Sequence, residues 1–122
     1  MSDTLACICQ AILSIAFGYS GISKIYLPKA RLVSLGQTGI ADLPDAMIRF
    51  IGVTETLGTI GLIFSLVTNV LTYLTAVTAI GFALIVILAI PIHYRRKEYA
   101  AVLLNVFLLA LSAMLAFASW QN

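Results

Sequence analysis

Residues 70–92 read VLTYLTAVTAIGFALIVILAIPI and contain no charged side chain. A helix of about 20 apolar residues crosses the roughly 30 Å hydrocarbon core of a bilayer, so this stretch predicts a membrane-spanning helix. Further runs of the same character lie at about 5–27, 46–67 and 99–119. All of these runs are continuously apolar, which favours helices over the alternating strands of a membrane β-barrel. The sequence therefore predicts four transmembrane helices.

The composition agrees with a membrane location. The 122 residues are 61% hydrophobic and 10% charged, whereas a soluble domain carries about 25% charged residues. The four spans use most of the chain, which leaves no room for a separate soluble domain. Short connections make consecutive helices antiparallel. We therefore expect one domain with an all-α fold, an integral membrane antiparallel four-helix bundle.

The basic residues are distributed asymmetrically. All seven Lys and Arg residues lie at the connection between the first and second spans or between the third and fourth. These two connections share one face of the membrane, and cytoplasmic connections carry the excess of Lys and Arg. We expect a multi-pass protein of the cell membrane with both termini extracytoplasmic. The run Arg95–Lys97 is accordingly interpreted as a topology signal and not as a nucleic-acid site.

The segment 28–45 is the one long connection. Its apolar residues alternate with Lys29, Arg31 and Gln37, a pattern typical of a short helix that lies on the membrane surface. Within the spans, small residues recur at helical spacing, and small residues let transmembrane helices approach closely. Gly18 and Gly21 in the first span, with Gly52 and Gly58 in the second, are the glycines we assign to helix packing.

Two charged residues, Lys24 and Glu55, indicate a site inside the membrane. Glu55 lies about ten residues, or roughly 15 Å, into the second span, where a charge costs about 2.5–3.5 kcal/mol and normally has a partner. Lys24 is the first candidate partner by depth, and Arg49 is the second. We predict that Lys24 turns inward and pairs with Glu55. The alternative is that Lys24 reaches the lipid headgroups as an anchor.

His93 and Asn105 lie in the same half of the membrane as that pair. Convergence of Lys24, Glu55, His93 and Asn105 from four helices would form a small intramembrane polar site. Cys7 and Cys9 are two residues apart, about 200° around a helix, and serve either packing or an extracytoplasmic thiol role. The sequence contains no ligand set for zinc or haem, so we expect no metal site.

The segments GYSGISK (18–24) and GVTETLGTIGL (52–62) resemble the DoxX-like family of small four-helix membrane proteins. The resemblance covers nearly the whole chain and implies that Lys24, Glu55 and His93 are polar residues of the family pattern. Relatives include a subunit of a thiosulfate:quinone oxidoreductase, proteins of redox defence and, more distantly, a chaperone for nicotinic receptor assembly. The chain lacks a Cys-x-x-Cys motif, which argues against a dithiol mechanism.

These observations favour a small integral membrane protein that is not an enzyme. We expect a chaperone-like assembly or accessory factor that binds a partner, a lipid or a quinone in a polar groove on the cytoplasmic side. One alternative is the membrane subunit of a quinone-linked oxidoreductase, and another is a small-molecule carrier that works as a homodimer. The expected partners are membrane lipid, a membrane protein or a second copy, without nucleic acid. We expect no built-in cofactor, with quinone as a candidate ligand.

Overall fold

The computed structural model describes residues 2–121. The long helices are α1 (Asp3–Tyr26), α3 (Asp45–Thr68), α4 (Tyr73–Arg95) and α5 (Tyr99–Trp120). The connection between α1 and α3 contains the short helix α2 (Lys29–Ser34) and a 3₁₀ turn (Thr38–Ile40). Each long helix has the length and apolar composition needed to cross a membrane. The all-helical fold class is confirmed, with four long apolar helices among the described residues.

Both ends of α4 lie about three residues later than the predicted span 70–92, and the connection between α3 and α4 explains the shift at its start. The third span was expected to start near Val70, but α4 starts at Tyr73. Thr72 is the N-cap of α4, and the Thr72 and Thr75 hydroxyl groups each accept a hydrogen bond from the other residue's backbone N–H. Asn69 ends α3 in the left-handed conformation, with φ of 58°. Capping chemistry, which hydropathy does not measure, therefore sets this boundary.

The long helices form two closely packed pairs. Lys24 lies beside Gly52 and Gly18 beside Thr59, so the residue number rises along α1 as it falls along α3, and these helices are antiparallel. The rings of Tyr73 and Trp120 are 5.1 Å apart, which places the start of α4 beside the end of α5. The contacts of α1 with α5 and of α3 with α4 are less extensive. The molecule is therefore an α1–α3 pair joined to an α4–α5 pair.

An apolar core lies where the two pairs meet. The rings of Phe17 in α1 and Phe82 in α4 stack with centroids 3.9 Å apart and planes 4° from parallel. Around them pack fully buried side chains from all four long helices, such as Cys9, Leu62 and Leu115. Since lipid is as apolar as these side chains, close packing and not water exclusion stabilises this core.

A second, smaller core lies beneath the connection between α1 and α3. Leu32, Ile40 and Ile48 are buried against one another, and they come from α2, the 3₁₀ turn and α3 respectively. The expected short helix is present at Lys29–Ser34, and its buried residue is Leu32. The connection therefore folds back onto the start of α3. This contact holds the connection against the end of the bundle that carries the basic residues.

Candidate functional site

Lys24 and Glu55 form a buried ion pair between α1 and α3. Lys24 Nζ lies 3.0 Å from Glu55 Oε1. The Lys24 and Glu55 side chains are 11% and 2% exposed, so lipid and water are both largely excluded. The inward orientation predicted for Lys24 is therefore present, and the anchor alternative does not describe this structure.

Ser20, which the sequence analysis did not single out, completes this pair. Its hydroxyl donates a hydrogen bond to Glu55 Oε1 at 3.0 Å and accepts one from Lys24 Nζ at 2.8 Å. Ser20 lies one helical turn before Lys24, so the two side chains share a face of α1. That spacing is the sequence signal which could have identified it. Ser20, Lys24 and Glu55 together form the polar triad of the α1–α3 pair.

Arg49 does not pair with Glu55, although it was the second candidate. Its Nη1 donates hydrogen bonds to the carbonyl oxygens of Leu27, at 2.6 Å, and of Lys24. The last carbonyl groups of a helix lack partners within the helix, and a guanidinium group satisfies them while complementing the negative end of the helix dipole. Arg49 therefore caps the C-terminal end of α1 and holds the backbone on which Lys24 is carried.

Two glycines bring the backbones of α1 and α3 into contact next to the triad. A Cβ atom on Gly21 would lie 2.8 Å from the Thr56 backbone nitrogen and 2.9 Å from the Gly52 oxygen. A Cβ on Gly52 would lie 2.8 Å from Lys24 Cβ and 2.9 Å from the Gly21 oxygen. No side chain fits at either position. This approach lets the Lys24 side chain reach Glu55 across the interface.

The other two packing glycines also lie at helix contacts. A Cβ on Gly18 would meet the Thr59 methyl group at 3.2 Å, and a Cβ on Gly58 would meet the Phe82 ring at 2.8 Å. Gly18 therefore belongs to the α1–α3 contact. Gly58 faces the α4–α5 pair instead, at the edge of the apolar core.

His93 lies in a separate cluster at the C-terminal end of α4. Its Nδ1 is 3.0 Å from Glu98 Oε1, and Arg96 Nε is 3.3 Å from the same oxygen. The Thr38 hydroxyl donates to Glu98 Oε2 at 2.7 Å. Hydrogen bonds from Thr38 and His93, with the nearby Arg96 charge, lower the pKa of the Glu98 carboxyl group. This cluster attaches the 3₁₀ turn to the α4–α5 connection.

Asn105 joins neither of these clusters. Its Nδ2 donates to the Ala101 carbonyl oxygen of its own helix at 2.8 Å. The expected convergence of Lys24, Glu55, His93 and Asn105 in one pocket is therefore wrong. Similar depth does not bring side chains together when each finds a nearer partner, because a carbonyl group one turn away lies within reach of a short amide side chain.

A further polar cluster, absent from the sequence analysis, lies near the opposite end of the bundle. Gln10 Nε2 donates to the Ser65 hydroxyl at 2.9 Å, and Thr75 Oγ1 donates to the same hydroxyl at 3.2 Å. Ser65 in turn donates to the Val70 carbonyl oxygen at 2.6 Å. Gln10 is 2% exposed. A glutamine inside an apolar span is the signal that could have revealed this cluster, because a buried amide needs partners.

A groove lies between α3 and α4 on the described surface. It consists of two cavities of about 610 Å³ and 360 Å³, both lined by Leu74 and Thr78. The larger cavity includes Gly61 and Phe64, and the smaller includes Gly81. We call the combined feature the α3–α4 groove. Volumes of this size are typical of small-molecule sites.

The α3–α4 groove differs from the polar cytoplasmic-side groove that was expected from the sequence. Its lining consists of apolar side chains, glycines and hydroxyl groups, without a charged residue. None of the residues proposed for the intramembrane site lines it. The larger cavity lies by the connection between α3 and α4, at the end of the bundle opposite to the basic residues. The α3–α4 groove and the charged triad therefore lie in different parts of the molecule.

The cysteines and the acidic residues do not assemble a metal site among residues 2–121. Within these residues, no three His, Cys, Asp or Glu side chains lie close enough to hold an ion together. Cys7 and Cys9 are both free thiols, and Cys9 is completely buried in the apolar core. Packing is therefore the role that the structure gives to Cys9.

A family model described as the DoxX-like family matches residues 8–115, which is most of the chain. No curated protein and no solved structure matches the chain. The matched range contains the triad, the His93 cluster and the α3–α4 groove.

Proposed function

Because the chain belongs to the DoxX-like family, and its four apolar helices indicate a multi-pass membrane protein, we propose that it is a non-catalytic accessory factor. It binds a chain-bearing molecule of the bilayer, a lipid or a quinone, in the α3–α4 groove. The observation that carries this proposal is the groove itself. Two adjoining cavities between α3 and α4 have apolar walls, so a ligand can enter sideways from the membrane.

The separate location of the polar triad supports this division of roles. Glu55 Oε1 already accepts hydrogen bonds from both Lys24 and Ser20. Glu55 lies on the face of α3 that contacts α1. The groove lies along a different face of α3, which carries Thr54, Gly58 and Gly61. In some proteins a buried ion pair of this kind serves to specify which helices pair with each other. We therefore assign the triad to the architecture of the α1–α3 pair and the groove to binding.

The lining of the groove suits the flexible apolar chain of a lipid or a quinone. Phe64 and Leu74 line the groove and remain 70% and 69% exposed, so they stand up as its walls. Gly61 and Gly81 provide a floor with little or no side-chain bulk.

Native mass spectrometry of protein released from mild detergent tests this proposal. We expect the wild-type protein to carry a stoichiometric lipid or quinone. Gly81→Leu should lose it, because Gly81 lines the groove and a Cβ at this position meets nothing within 4 Å. The Cβ atom therefore causes no clash, and the rest of the leucine side chain is expected to occupy part of the groove. Ala113→Leu, an exposed substitution on α5, is the control. Equal ligand retention by Gly81→Leu and wild type would refute the proposal.

A second candidate function is the membrane subunit of a quinone-linked oxidoreductase whose partner carries the redox centre. The observation in its favour is the triad, because hydrogen-bonded ionisable groups inside a membrane are typical of proton relays. Quinone reduction in membranes from Glu55→Gln cells, compared with wild type at matched protein levels, tests it. A relay predicts a loss of turnover, whereas an accessory factor with a structural ion pair predicts unchanged turnover for the protein that remains folded.

A further inference from the structure

Exposed aromatic side chains lie in contact at both ends of the α4–α5 pair. The rings of Tyr73 and Trp120 are 5.1 Å apart, and those of Tyr94 and Tyr99 are 6.0 Å apart. All four side chains are more than half exposed. From Tyr73 to Tyr94 the helix rises about 30 Å at 1.5 Å per residue, which matches the thickness of the hydrocarbon core. Since Tyr and Trp favour the membrane–water interfaces, each pair marks one of the two interfaces.

The turn between α4 and α5 carries three cations at one of these interfaces. Tyr94 and Tyr99 flank the turn directly, so the exposed residues Arg95–Lys97 lie at the level of the lipid head groups. We call Arg95–Lys97 the basic turn. The C-terminal end of α4 and the N-terminal end of α5 meet here, and their opposite helix dipoles largely cancel. The side chains therefore determine the charge of the turn.

Two of the three cations of the basic turn are free to bind a ligand. Arg96 Nε lies 3.3 Å from Glu98 Oε1, so these two charges compensate each other. The side chains of Arg95 and Lys97 have no hydrogen-bond or ion-pair partner among residues 2–121. The remaining acidic residues at this end of the bundle lie within segment 42–45. The basic turn therefore presents two uncompensated positive charges to the head-group region.

Lys97 occupies a backbone conformation that favours glycine. Its φ is 60°, in the left-handed region. The Lys97 N–H donates to the Tyr94 carbonyl oxygen and the Glu98 N–H donates to that of His93, which is the Schellman pattern that ends helices. Glycine is the usual residue at this position because it has no Cβ atom. A topology signal does not require a lysine here, since two arginines precede it. The unfavourable conformation therefore points to a separate role for the Lys97 side chain.

We propose that the basic turn binds the head group of an anionic phospholipid. The Lys97 ammonium and the Arg95 guanidinium group bind the lipid phosphate, and the Tyr94–Tyr99 pair packs against the glycerol region just below it. An anionic lipid is favoured over a zwitterionic one, because a zwitterionic head group carries its own cation beside the phosphate. This site is independent of the α3–α4 groove, whose larger cavity lies at the opposite end of the bundle.

Native mass spectrometry of the full chain in a neutral detergent tests this assignment. The protein is titrated with dioleoyl phosphatidylglycerol or with dioleoyl phosphatidylcholine, and the Kd of the first bound lipid is measured. These probes differ only in the head group, so binding of acyl chains in the α3–α4 groove affects both alike. We expect phosphatidylglycerol to bind about tenfold more tightly or better, since each cation near an anionic head group contributes about fivefold.

Variants of the basic turn separate binding from stability. Lys97→Gly should weaken phosphatidylglycerol binding about fivefold and leave phosphatidylcholine binding unchanged. Its Tm should equal or exceed that of wild type, because glycine suits the left-handed conformation. Arg95→Gln should weaken phosphatidylglycerol binding to a similar extent. Arg31→Gln is the matched control, since Arg31 is an exposed cation at the same end of the bundle but on α2. It should change the affinity less than about twofold.

Each outcome of these titrations decides for or against the lipid site. Equal affinity for both lipids would overturn it and leave the basic turn to an acidic protein segment or to topology alone. Equal losses in Lys97→Gly and Arg31→Gln would also overturn it, because they indicate diffuse attraction to the whole basic end. A preference that disappears in Gly81→Leu would place the head group in the α3–α4 groove instead. A preference that persists in Gly81→Leu supports the basic turn, whether or not that variant loses the ligand of the groove.

Discussion

At the scale of single residues, the Lys24–Glu55 pair shows how one contact depends on its neighbours. Glu55 is almost fully buried, and its oxygen is held by Lys24 and Ser20. Arg49 fixes the end of the helix that carries Lys24. A buried charge that loses its partner costs far more than the intact pair contributes. The stability of this region therefore depends on the presence of all three side chains of the triad.

We expect the single variants Lys24→Met and Glu55→Gln to be destabilised, by about 3–5 kcal/mol where a charge is left unpaired. The double variant should cost less than the sum of the two losses, because it leaves no isolated charge. Thermal unfolding in detergent of all four proteins measures this coupling. Asn105→Ala is a suitable control, since Asn105 bonds only within its helix. Strictly additive losses would show that the two side chains do not stabilise each other.

The Glu98 carboxyl group gives a pH dependence with a definite sign. Hydrogen bonds from Thr38 and His93 lower its pKa, so the folded state favours the charged form. This stabilising effect is present above the pKa of the unfolded chain, about 4.3, and is lost as the pH falls through the lower folded value. Glu98→Gln should remove the contribution of this carboxyl group to the pH dependence of stability.

Amide hydrogen exchange of residues 38–40 between pH 3 and 7, corrected for intrinsic rates, follows this effect directly. In wild type, protection of the 3₁₀ turn should fall at the acid end of the range. Glu98→Gln should show weak protection throughout, because the turn loses its charged acceptor. An identical pH profile in wild type and Glu98→Gln would disprove the role of this carboxylate.

At the scale of the helices, glycine positions divide into those in contact and those facing open space. Gly52→Ala should destabilise the protein by about 1–3 kcal/mol, because its Cβ would lie 2.8 Å from Lys24 Cβ and 2.9 Å from a backbone oxygen. Gly81→Ala should be neutral or stabilising by about 0.5–1 kcal/mol, since nothing lies within 4 Å of its Cβ position. Both are interior helix positions, which makes them a matched pair.

Unfolding by denaturant in mixed micelles, with both variants measured side by side, checks this prediction. A similar loss for Gly52→Ala and Gly81→Ala would mean that the close approach of α1 to α3 contributes nothing specific. We expect the free energy of unfolding to rise for Gly81→Ala and to fall for Gly52→Ala. The higher helix propensity of alanine determines the result only where its Cβ atom has open space.

The helices and the ion pair were predictable from the sequence for different reasons. Span positions follow from uninterrupted apolar length, which needs no tertiary information. The Lys24–Glu55 contact followed from depth and helical phase, because a buried carboxylate requires a partner and few were available. Asn105 was mispredicted because its own helix supplies an acceptor. The α3–α4 groove was missed because it depends on how two helix pairs pack, which local pattern does not determine.

At the scale of the whole molecule, the orientation of the bundle in the membrane is predicted from its charges, because the length and composition of the helices are the same in either orientation. All Lys and Arg residues lie at one end of the bundle, and the positive-inside rule places that end in the cytoplasm. Single cysteines at Ser2 and Gln121, in a background without Cys7 and Cys9, should react with an impermeant thiol reagent in intact cells. Protection of both positions would reverse the topology.

The position of the ion pair along the chain has a consequence for biosynthesis. Both charges of the pair, and the arginine that caps α1, lie within the first 55 residues. Thus α1 and α3 can leave the translocon as a hairpin whose buried charges are already compensated, before α4 and α5 have been synthesised. The second half of the chain then contributes apolar helices that need no charged partner to enter the bilayer.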